Sequence, residues 1–238
     1  MEASTEPNIE SIVRISTQGS PFELRLTTAN NEEIIKIDNF TFTKQYLRME
    51  ETVNGRNLIG FGERVHKFEL TNGQYTMWAL DNPAQYDQGK RTGDQGYGVH
   101  PVYFARRNTN NNYFGLFNLN SSSQQVTLKD EGNNRKIVHE LTSGMIDLFF
   151  ITEGTYEDTV KNYHKIVGRP VLPPMWGLGW QQSQYGYESA EKMNEVVTKY
   201  AEYGIPIDVM WSDIDFMEKY QDFTIGTGDA YKELPTKV

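Results

Sequence analysis

Two aspartates stand directly behind a largely apolar run in the last part of the chain. The run covers residues 207–211, and Asp213 and Asp215 follow it. Because an unpaired carboxylate is costly to remove from water, acidic residues at the end of a buried strand are either surface residues or parts of a site. Carboxylates accept hydrogen bonds from hydroxyl groups, so a site built on these aspartates could hold a polyol.

Amide and aromatic side chains follow the preceding apolar run. Residues 176–180, WGLGW, predict a strand, and Gln181, Gln182, Gln184 and Tyr185 come next. In parallel α/β folds the loops at the carboxyl ends of the strands converge on one crevice or barrel mouth. Trp and Tyr rings pack on the apolar face of a sugar ring, while amides and carboxylates bind its hydroxyls. Composition alone therefore favours a carbohydrate ligand.

The same residues also have ordinary structural roles. An Asp after a strand is more often a helix cap or a turn residue than a ligand-binding residue. A tryptophan considered singly is more often part of the core, and this applies to Trp176, Trp180 and Trp211. Both interpretations stay open at this level.

The residue types of metal and thiol sites are missing or scattered. The chain has no cysteine, and its four histidines show no metal-ligand spacing. No Gly-rich phosphate loop or calcium-loop pattern occurs. We therefore expect no metal site. The histidines are His66, His100, His139 and His164.

The elements that would position these residues fall into two regions. Between about residues 11 and 151, short segments rich in β-branched and aromatic residues alternate with polar turns, which predicts an antiparallel sandwich or barrel. The predicted strands are residues 12–16, 22–28, 41–49, 74–80, 101–107, 113–119, 136–142 and 145–152.

From residue 154 onward the pattern becomes helical. Apolar residues at helical spacing predict a helix within residues 154–168, with Gly168 and Pro170 as stop signals. A second apolar stripe predicts a helix within residues 188–204 that Gly204 closes. Together with the flanking apolar runs this is a βαβ unit, so its two strands should be parallel neighbours. The first stripe is Tyr156, Val160, Tyr163 and Val167, and the second is Ala190, Met193, Val197, Tyr200 and Ala201.

One βαβ unit leaves its sheet unfinished. A parallel sheet needs several strands, with helices covering both faces. We therefore expect the remainder of this sheet to come from the same protein beyond this chain or from a second chain.

The charge balance limits the partners. The net charge is −9, from 23 basic and 32 acidic side chains. Nucleic-acid binding depends on clustered Lys and Arg residues, so this composition does not favour nucleic acid as a partner. No apolar run is long enough to span a bilayer, and the first residues, MEASTEPNIES, lack the pattern of a signal peptide. We expect a soluble chain and predict no particular compartment.

Eight short motifs carry a resemblance to a known family. Between about residues 60 and 225, they resemble motifs of glycoside hydrolase family 31, a family of α-glucosidases, and they occur in the same order as in that family. The motifs are GFGER (60–64), MWALDNP (77–83), YGVHPVYF (97–104), GLFNLNSS (115–122), GRPVLPPMWGLGW (168–180), YGYES (185–189), GIPIDVMWSDIDFM (204–217) and QDFT (221–224).

The resemblance implies a fold and a domain order. It implies a galactose-mutarotase-like antiparallel β-sandwich followed by the start of a (β/α)8 TIM barrel that is incomplete in this chain. We expect the sandwich over residues 1–153, a linking helix over 154–169, and the first βαβ unit of the barrel over 170–238.

The resemblance also implies site residues. It implies substrate-binding roles for Asp81 on a loop of the sandwich, for Tyr185 after the first barrel strand, and for Trp211 and Asp213 after the second. Asp215 is expected to give structural support. The family is retaining, and its nucleophile and its acid/base follow the fourth and sixth barrel strands, so no catalytic residue is expected in this chain. The resemblance implies no cofactor, because the family's chemistry uses two carboxylates and water.

The function implied is hydrolysis of terminal α-linked glucose from oligosaccharides by the complete protein, with this chain alone inactive. An alternative is a non-catalytic carbohydrate-binding or interaction module derived from the family. Another family activity, α-xylosidase or α-glucan lyase, also stays open, because residues of later barrel strands decide among these activities.

Overall fold

The computed structural model describes residues 14–81, 92–226 and 230–231. The N-terminal segment in which no signal peptide was predicted, and the last two residues of the MWALDNP motif, lie outside the described residues. The chain divides into two compact units, Met1–Arg169 and Pro170–Val238.

The first unit is built from two antiparallel sheets. A seven-stranded sheet has the order β1-β2-β3-β4-β12-β11-β7, and a four-stranded sheet has the order β13-β10-β9-β5. A short pair, β6 and β8, forms beside them. The strands are β1 Arg14–Gln18, β2 Glu23–Thr27, β3 Glu33–Phe42, β4 Leu47–Val53, β5 Gly55–Gly60, β6 Arg64–Val65, β7 Gly73–Met77, β8 Asp94–Gln95, β9 Val102–Arg107, β10 Tyr113–Asn118, β11 Gln124–Glu131, β12 Asn134–Leu141 and β13 Leu148–Gly154.

The main core lies between the two large sheets. Met49 and Ile137 of the larger sheet and Tyr103 and Phe114 of the smaller one belong to one buried cluster. Successive residues of a strand point to opposite faces, and β12 shows this as a strict alternation of buried and partly exposed positions. The predicted β-sandwich is therefore confirmed.

One predicted strand is wrong. Residues 41–49 were predicted as a single strand, but a turn divides β3 from β4, with the Thr43 N–H donating to the Tyr46 carbonyl at 2.9 Å. Five strands escaped prediction, namely β3 over most of its length, β5, β11 and the two-residue strands β6 and β8. Their charged and amide residues weaken the strand signal, although alternate positions are buried in the sheets.

Helix α1, Tyr156–Val167, packs on the second face of the smaller sheet. Thr155 caps it by accepting a hydrogen bond from the Asp158 N–H, and Gly168 follows its last residue with φ +89°. Tyr156, Val160 and Tyr163 contact a second cluster of strand residues. That cluster is Ile59, Val102, Phe104, Phe117 and Ile151.

The second unit contains the predicted βαβ arrangement. Strands β14, Gln181–Gln182, and β15, Val209–Met210, are parallel neighbours, and helix α2, Ala190–Glu202, connects them. This is the start of a parallel barrel sheet. The strand predicted over 176–180 is wrong, because Met175–Leu178 forms a 3-10 helix and the strand begins one residue beyond the predicted segment.

Helix α2 packs through only part of its predicted stripe. Ala190 and Met193 are buried with Tyr187 and Tyr231, and Val196 packs against them. Ala201 is exposed instead. Within the part of the chain that the structure describes, no helix has the length and apolar character needed to cross a membrane.

Candidate functional site

The candidate site lies where β14 and β15 end. Because the two strands are parallel, the segment after each of them leaves the sheet at the same edge. The segment after β14 carries Tyr185, and the segment after β15 carries Trp211, Asp213 and Asp215.

Asp215 ties the two segments together. Its Oδ2 atom accepts a hydrogen bond of 2.9 Å from the Gly186 N–H. Gly186 has a φ of +96°, a conformation that side-chain-bearing residues rarely adopt, so the turn after Tyr185 depends on this glycine. Asp215 thus holds the turn between β14 and α2, which is the supporting role expected for it.

Tyr185 lies beside both carboxylates. A side-chain hydrogen bond with Tyr220 raises the pKa of Tyr185 above its usual range, and the negative charges of Asp215 and Asp213 act in the same direction. The ring of Tyr185 is largely exposed. The phenol therefore stays protonated at neutral pH and presents both a hydroxyl group and an apolar ring face.

Trp211 is held by hydrogen bonds while half of its surface stays exposed. Its Nε1–H donates to Gln181 Oε1 at 2.6 Å, and Gln181 Nε2 donates to the Gly177 carbonyl at 2.7 Å. The side chain is 51% exposed. This arrangement fixes the orientation of the indole and leaves part of its surface available to a ligand.

Asp213 caps a short helix, which is the structural role expected as the alternative to ligand binding. It is the N-cap of the 3-10 helix Ile214–Phe216, and its Oδ1 atom accepts a 2.7 Å hydrogen bond from the Ile214 N–H. Among the residues that the structure describes, none donates a hydrogen bond to Oδ2. The cap orients the carboxylate and leaves one oxygen to accept hydrogen bonds from a ligand.

Gln181 and Gln182 are strand residues rather than loop residues, which corrects their predicted place at the mouth. Gln182 Oε1 accepts from the Tyr200 hydroxyl at 2.5 Å, and Gln182 Nε2 donates to the Tyr187 hydroxyl at 2.8 Å. The Trp180 Nε1–H donates to the same Tyr200 hydroxyl at 3.2 Å. The Gln182 amide thus joins β14 to α2, the Gln181 amide holds Trp211, and both are occupied by these contacts. Gln184 is exposed in the loop.

Asp81 lies in the first unit and is exposed beyond the end of β7. The structure therefore brings together Tyr185, Asp213 and Asp215 within the second unit, with Trp211 two residues before Asp213.

Sequence reasoning missed Tyr220, the hydrogen-bond partner of Tyr185. Its backbone and that of Lys219 are left-handed, with φ of 60° and 51°. A left-handed pair without glycine or asparagine leaves no recognisable signal in the sequence.

The arrangement suits the binding of a neutral, hydroxyl-rich molecule. A free carboxylate oxygen and a phenol hydroxyl form hydrogen bonds with hydroxyl groups, and the exposed aromatic faces pack against C–H groups. Within residues 14–81, 92–226 and 230–231, no three His, Asp or Glu side chains come together as a potential metal site.

Two family models match the chain. A model of the glycosyl hydrolase 31 N-terminal galactose mutarotase-like domain matches residues 3–126, more than half of the chain. A model of the glycosyl hydrolases family 31 TIM-barrel domain matches residues 170–237.

Curated relatives match over almost the whole chain. A probable alpha/beta-glucosidase of Arthroderma benhamiae is 31% identical over 233 residues, which cover 94% of this chain and 26% of the relative. The intestinal sucrase-isomaltase of Homo sapiens is 30% identical over 227 residues, covering 93% of this chain and 12% of the relative. The chain thus spans about a quarter or less of the length of these relatives.

Solved structures show the same fold. The ER glucosidase II heterodimeric complex matches with a TM-score of 0.83 at 16% identity, over 94% of this chain and 30% of that one. A family 31 dextranase of Flavobacterium johnsoniae, complexed with glucose, matches with a TM-score of 0.77 at 23% identity, over 93% and 26%. At these identities the likeness concerns the fold alone.

Proposed function

Because this chain belongs to glycoside hydrolase family 31, we propose that it forms the N-terminal part of a retaining α-glycosidase that removes terminal α-linked glucose from oligosaccharides. The observation that carries this proposal is the Oδ2 atom of Asp213, which accepts no hydrogen bond from the described residues and lies at the carboxyl edge of the first two barrel strands, where its charge acts on Tyr185. In barrel enzymes this edge holds the active site.

Each proposed contact has its own chemistry. Asp213 accepts hydrogen bonds from hydroxyls of the terminal sugar, and Trp211 packs against its C–H face. Tyr185 supplies a second aromatic contact from the neighbouring loop. Asp81 supplies a further carboxylate from the sandwich unit. These are the substrate-binding roles that the sequence resemblance implies.

The mechanism assigns positioning rather than bond cleavage to this chain. A retaining glycosidase needs a nucleophile and an acid/base about 5 Å apart across the scissile bond, and in this family both follow later barrel strands. Hydrogen bonds to the sugar hydroxyls strengthen as the ring approaches its oxocarbenium-like transition state, so Asp213 contributes chiefly to kcat/KM. The hydrolytic partner of this chain is therefore the remainder of the barrel.

The test is the substitution Asp213→Ala in the complete enzyme. Sugar hydroxyls left unpaired should cost about 2–4 kcal/mol of transition-state stabilisation, roughly 30- to 1,000-fold in kcat/KM with a chromogenic α-glucoside. Glu195→Gln is the control, since Glu195 is exposed on α2 and pairs only with Lys192 among the described residues. A decrease in kcat/KM of less than about threefold for Asp213→Ala would contradict the proposed role of Asp213.

The same assay separates the two classes of function. Hydrolysis by the complete protein identifies an enzyme, and the preferred sugar is then found by comparing α-glucosides with α-xylosides. A complete protein that binds oligosaccharides but hydrolyses none of them would instead be a non-catalytic module.

A further inference from the structure

Two depressions on the sandwich unit share the side chain of Trp78. One has a volume of about 370 Å³ and the other about 340 Å³, and both are lined by Trp78, Ser123 and Gln124. Sites for small molecules usually have volumes of about 300–1,000 Å³. We call the two depressions together the Trp78 cleft. Asp81 is not among the described residues that line it.

Trp78 is a large exposed side chain on a fixed backbone. It follows β7, whose last residue, Met77, is buried in the core. The Trp78 N–H donates to Gln95 Oε1 at 2.8 Å, and the Trp78 carbonyl accepts a hydrogen bond from Gln95 Nε2. The side chain is 61% exposed. An indole held in this way is a ready surface for the apolar face of a ring-shaped ligand.

Gln124 places a buried amide in the wall of the same cleft. It stands opposite Met77 in the pairing of β11 with β7 and is only 5% exposed. Its Nε2 atom makes a long contact of 3.4 Å with the Asn120 carbonyl, and its Oε1 atom has no hydrogen-bond partner among the described residues. A buried acceptor without a partner is unfavourable until a donor reaches it. A ligand hydroxyl in the cleft can be that donor when the Gln124 side chain turns toward it.

The remaining lining is neutral or acidic and rich in hydrogen-bonding groups. Ser121 and Ser122 line the first depression, and Gln125 and Glu140 line the second. Glu140 Oε1 accepts a 2.7 Å hydrogen bond from the Tyr46 hydroxyl, which keeps its carboxylate in place. No Lys or Arg occurs among the described lining residues. The described lining thus offers no counter-charge to a phosphate or carboxylate ligand, whereas hydroxyl groups find several partners.

We propose that the Trp78 cleft is a carbohydrate-binding site on the sandwich unit and that it takes one or two pyranose rings of a neutral oligosaccharide. The aromatic surface, the buried amide and the lack of Lys or Arg among the described lining residues point to a neutral sugar. The choice of a glucose-based oligosaccharide rests on the proposed function.

The experiment measures maltotetraose binding to the 238-residue chain by calorimetry and by NMR of the tryptophan indole N–H groups. An open site of this size should bind with a Kd on the order of 1 mM. Trp78→Ala should weaken binding at least tenfold. Trp176→Ala is the matched control, because Trp176 is 60% exposed and lies outside the cleft, and it should leave binding unchanged.

A second variant tests the buried amide. Gln124→Leu keeps the approximate size of the side chain and removes both polar atoms, so it should weaken maltotetraose binding severalfold. Thermal unfolding of each variant shows whether the sandwich is still folded. Intact folding with unchanged binding for both Trp78→Ala and Gln124→Leu would overturn the proposal.

Asp213→Ala separates this inference from the proposed function. Binding that is lost with Trp78→Ala and kept with Asp213→Ala supports the Trp78 cleft, even if Asp213→Ala leaves kcat/KM of the complete enzyme unchanged. Binding that is lost with Asp213→Ala and kept with Trp78→Ala overturns the cleft and leaves the proposed function standing. Absence of saturable binding to the unaltered chain also overturns the cleft.

Discussion

The two units of this chain are stabilised in different ways. In the sandwich, aliphatic and aromatic side chains such as Ile35, Met49 and Phe114 are fully enclosed between two sheets. In the second unit the described buried cluster contains four residues. Other large apolar side chains of this unit, among them Leu172 and Trp180, are exposed. Two strands of two residues each cannot enclose a core. The second unit therefore depends on hydrogen bonds between side chains and backbone, and the proposed substrate contacts at Tyr185, Trp211 and Asp213 rely on those bonds.

The sandwich also encloses a cluster of polar side chains, which need hydrogen-bond partners inside the core. Glu51 is fully buried, and its Oε2 atom accepts a 2.6 Å hydrogen bond from the Tyr103 hydroxyl. His139 Nε2 lies 2.9 Å from Glu51 Oε1, in a contact whose alignment falls short of a hydrogen bond. Burial, together with the charge of Glu51, raises the pKa of Tyr103 well above its usual range, so Tyr103 remains a donor.

The largest expected effect comes from removing this buried carboxylate. Glu51→Ala leaves His139 and the Tyr103 hydroxyl without their partner and opens a cavity, so the sandwich should lose about 3–5 kcal/mol of unfolding free energy. Urea denaturation, followed by hydrogen exchange of the sandwich strands, measures the loss. Glu157→Ala, at an exposed position in the first turn of α1, is the control and should cost less than about 1 kcal/mol. Equal losses in the two variants would show that the cluster is unimportant.

A glycine in the second unit offers the next largest effect. A Cβ atom at Gly179 would lie 2.1 Å from Asp208 Oδ2, the atom that accepts the Trp180 N–H at 3.0 Å. Gly179→Ala should therefore displace Asp208 and destabilise the β14–β15 pair by about 1–3 kcal/mol. Hydrogen exchange should report faster opening in the second unit and unchanged protection in the sandwich.

Gly177→Ala provides the matched control for that change. The nearest atoms to a Cβ at Gly177 are 3.8 Å away, an ordinary contact distance. Its effect on exchange in the second unit should be small. If Gly177→Ala and Gly179→Ala behaved alike, the contact between Gly179 and Asp208 would not limit the stability of this unit.

The smallest expected effect concerns Tyr185, and it appears as a change in titration. Tyr220→Phe removes the hydrogen bond that raises the pKa of Tyr185, so this pKa should fall toward the usual value of about 10. Because the folded-state pKa is the higher one, the hydrogen bond stabilises the fold below about pH 10 and is lost as pH rises through the raised pKa. Titration of ¹³C-labelled tyrosine by NMR measures the shift. Tyr203→Phe, at an exposed tyrosine beyond α2, should leave the Tyr185 titration unchanged.

Periodic patterns predicted the helices and most of the sandwich. Helix α1 and its stop at Gly168 were confirmed, because helical spacing and a C-terminal glycine are both visible in the residue types. Of its predicted stripe, Tyr156, Val160 and Tyr163 pack on the sheet, and Val167 is exposed. The parallel order of β14 and β15 was confirmed, but the first of these strands was placed too early. The Pro and Gly residues before Trp180 allow a 3-10 helix where the apolar composition alone indicated a strand.

The site was only partly accessible to sequence reasoning. The positions of Asp213 and Asp215 after a strand follow from the βαβ pattern, since the pattern fixes which edge of the sheet each loop leaves. The pattern does not predict which contact each of the two aspartates makes. Asp215 accepts the Gly186 N–H and Asp213 caps a short helix, and both contacts depend on loop conformations that no periodicity encodes. The substrate-binding roles of Asp81, Tyr185, Trp211 and Asp213 remain predictions.

The strand order of the larger sheet has a consequence for synthesis on the ribosome. Strands β1 to β4 pair in sequence, but the next neighbour of β4 is β12, which begins about 80 residues after β4 ends. At about 5–20 residues per second, the edge of β4 waits roughly 4–16 s for its partner. An unpaired strand edge is a template for association with other chains. Nascent chains of this protein thus pass through an interval in which aggregation competes with folding, and that interval closes only when β12 emerges.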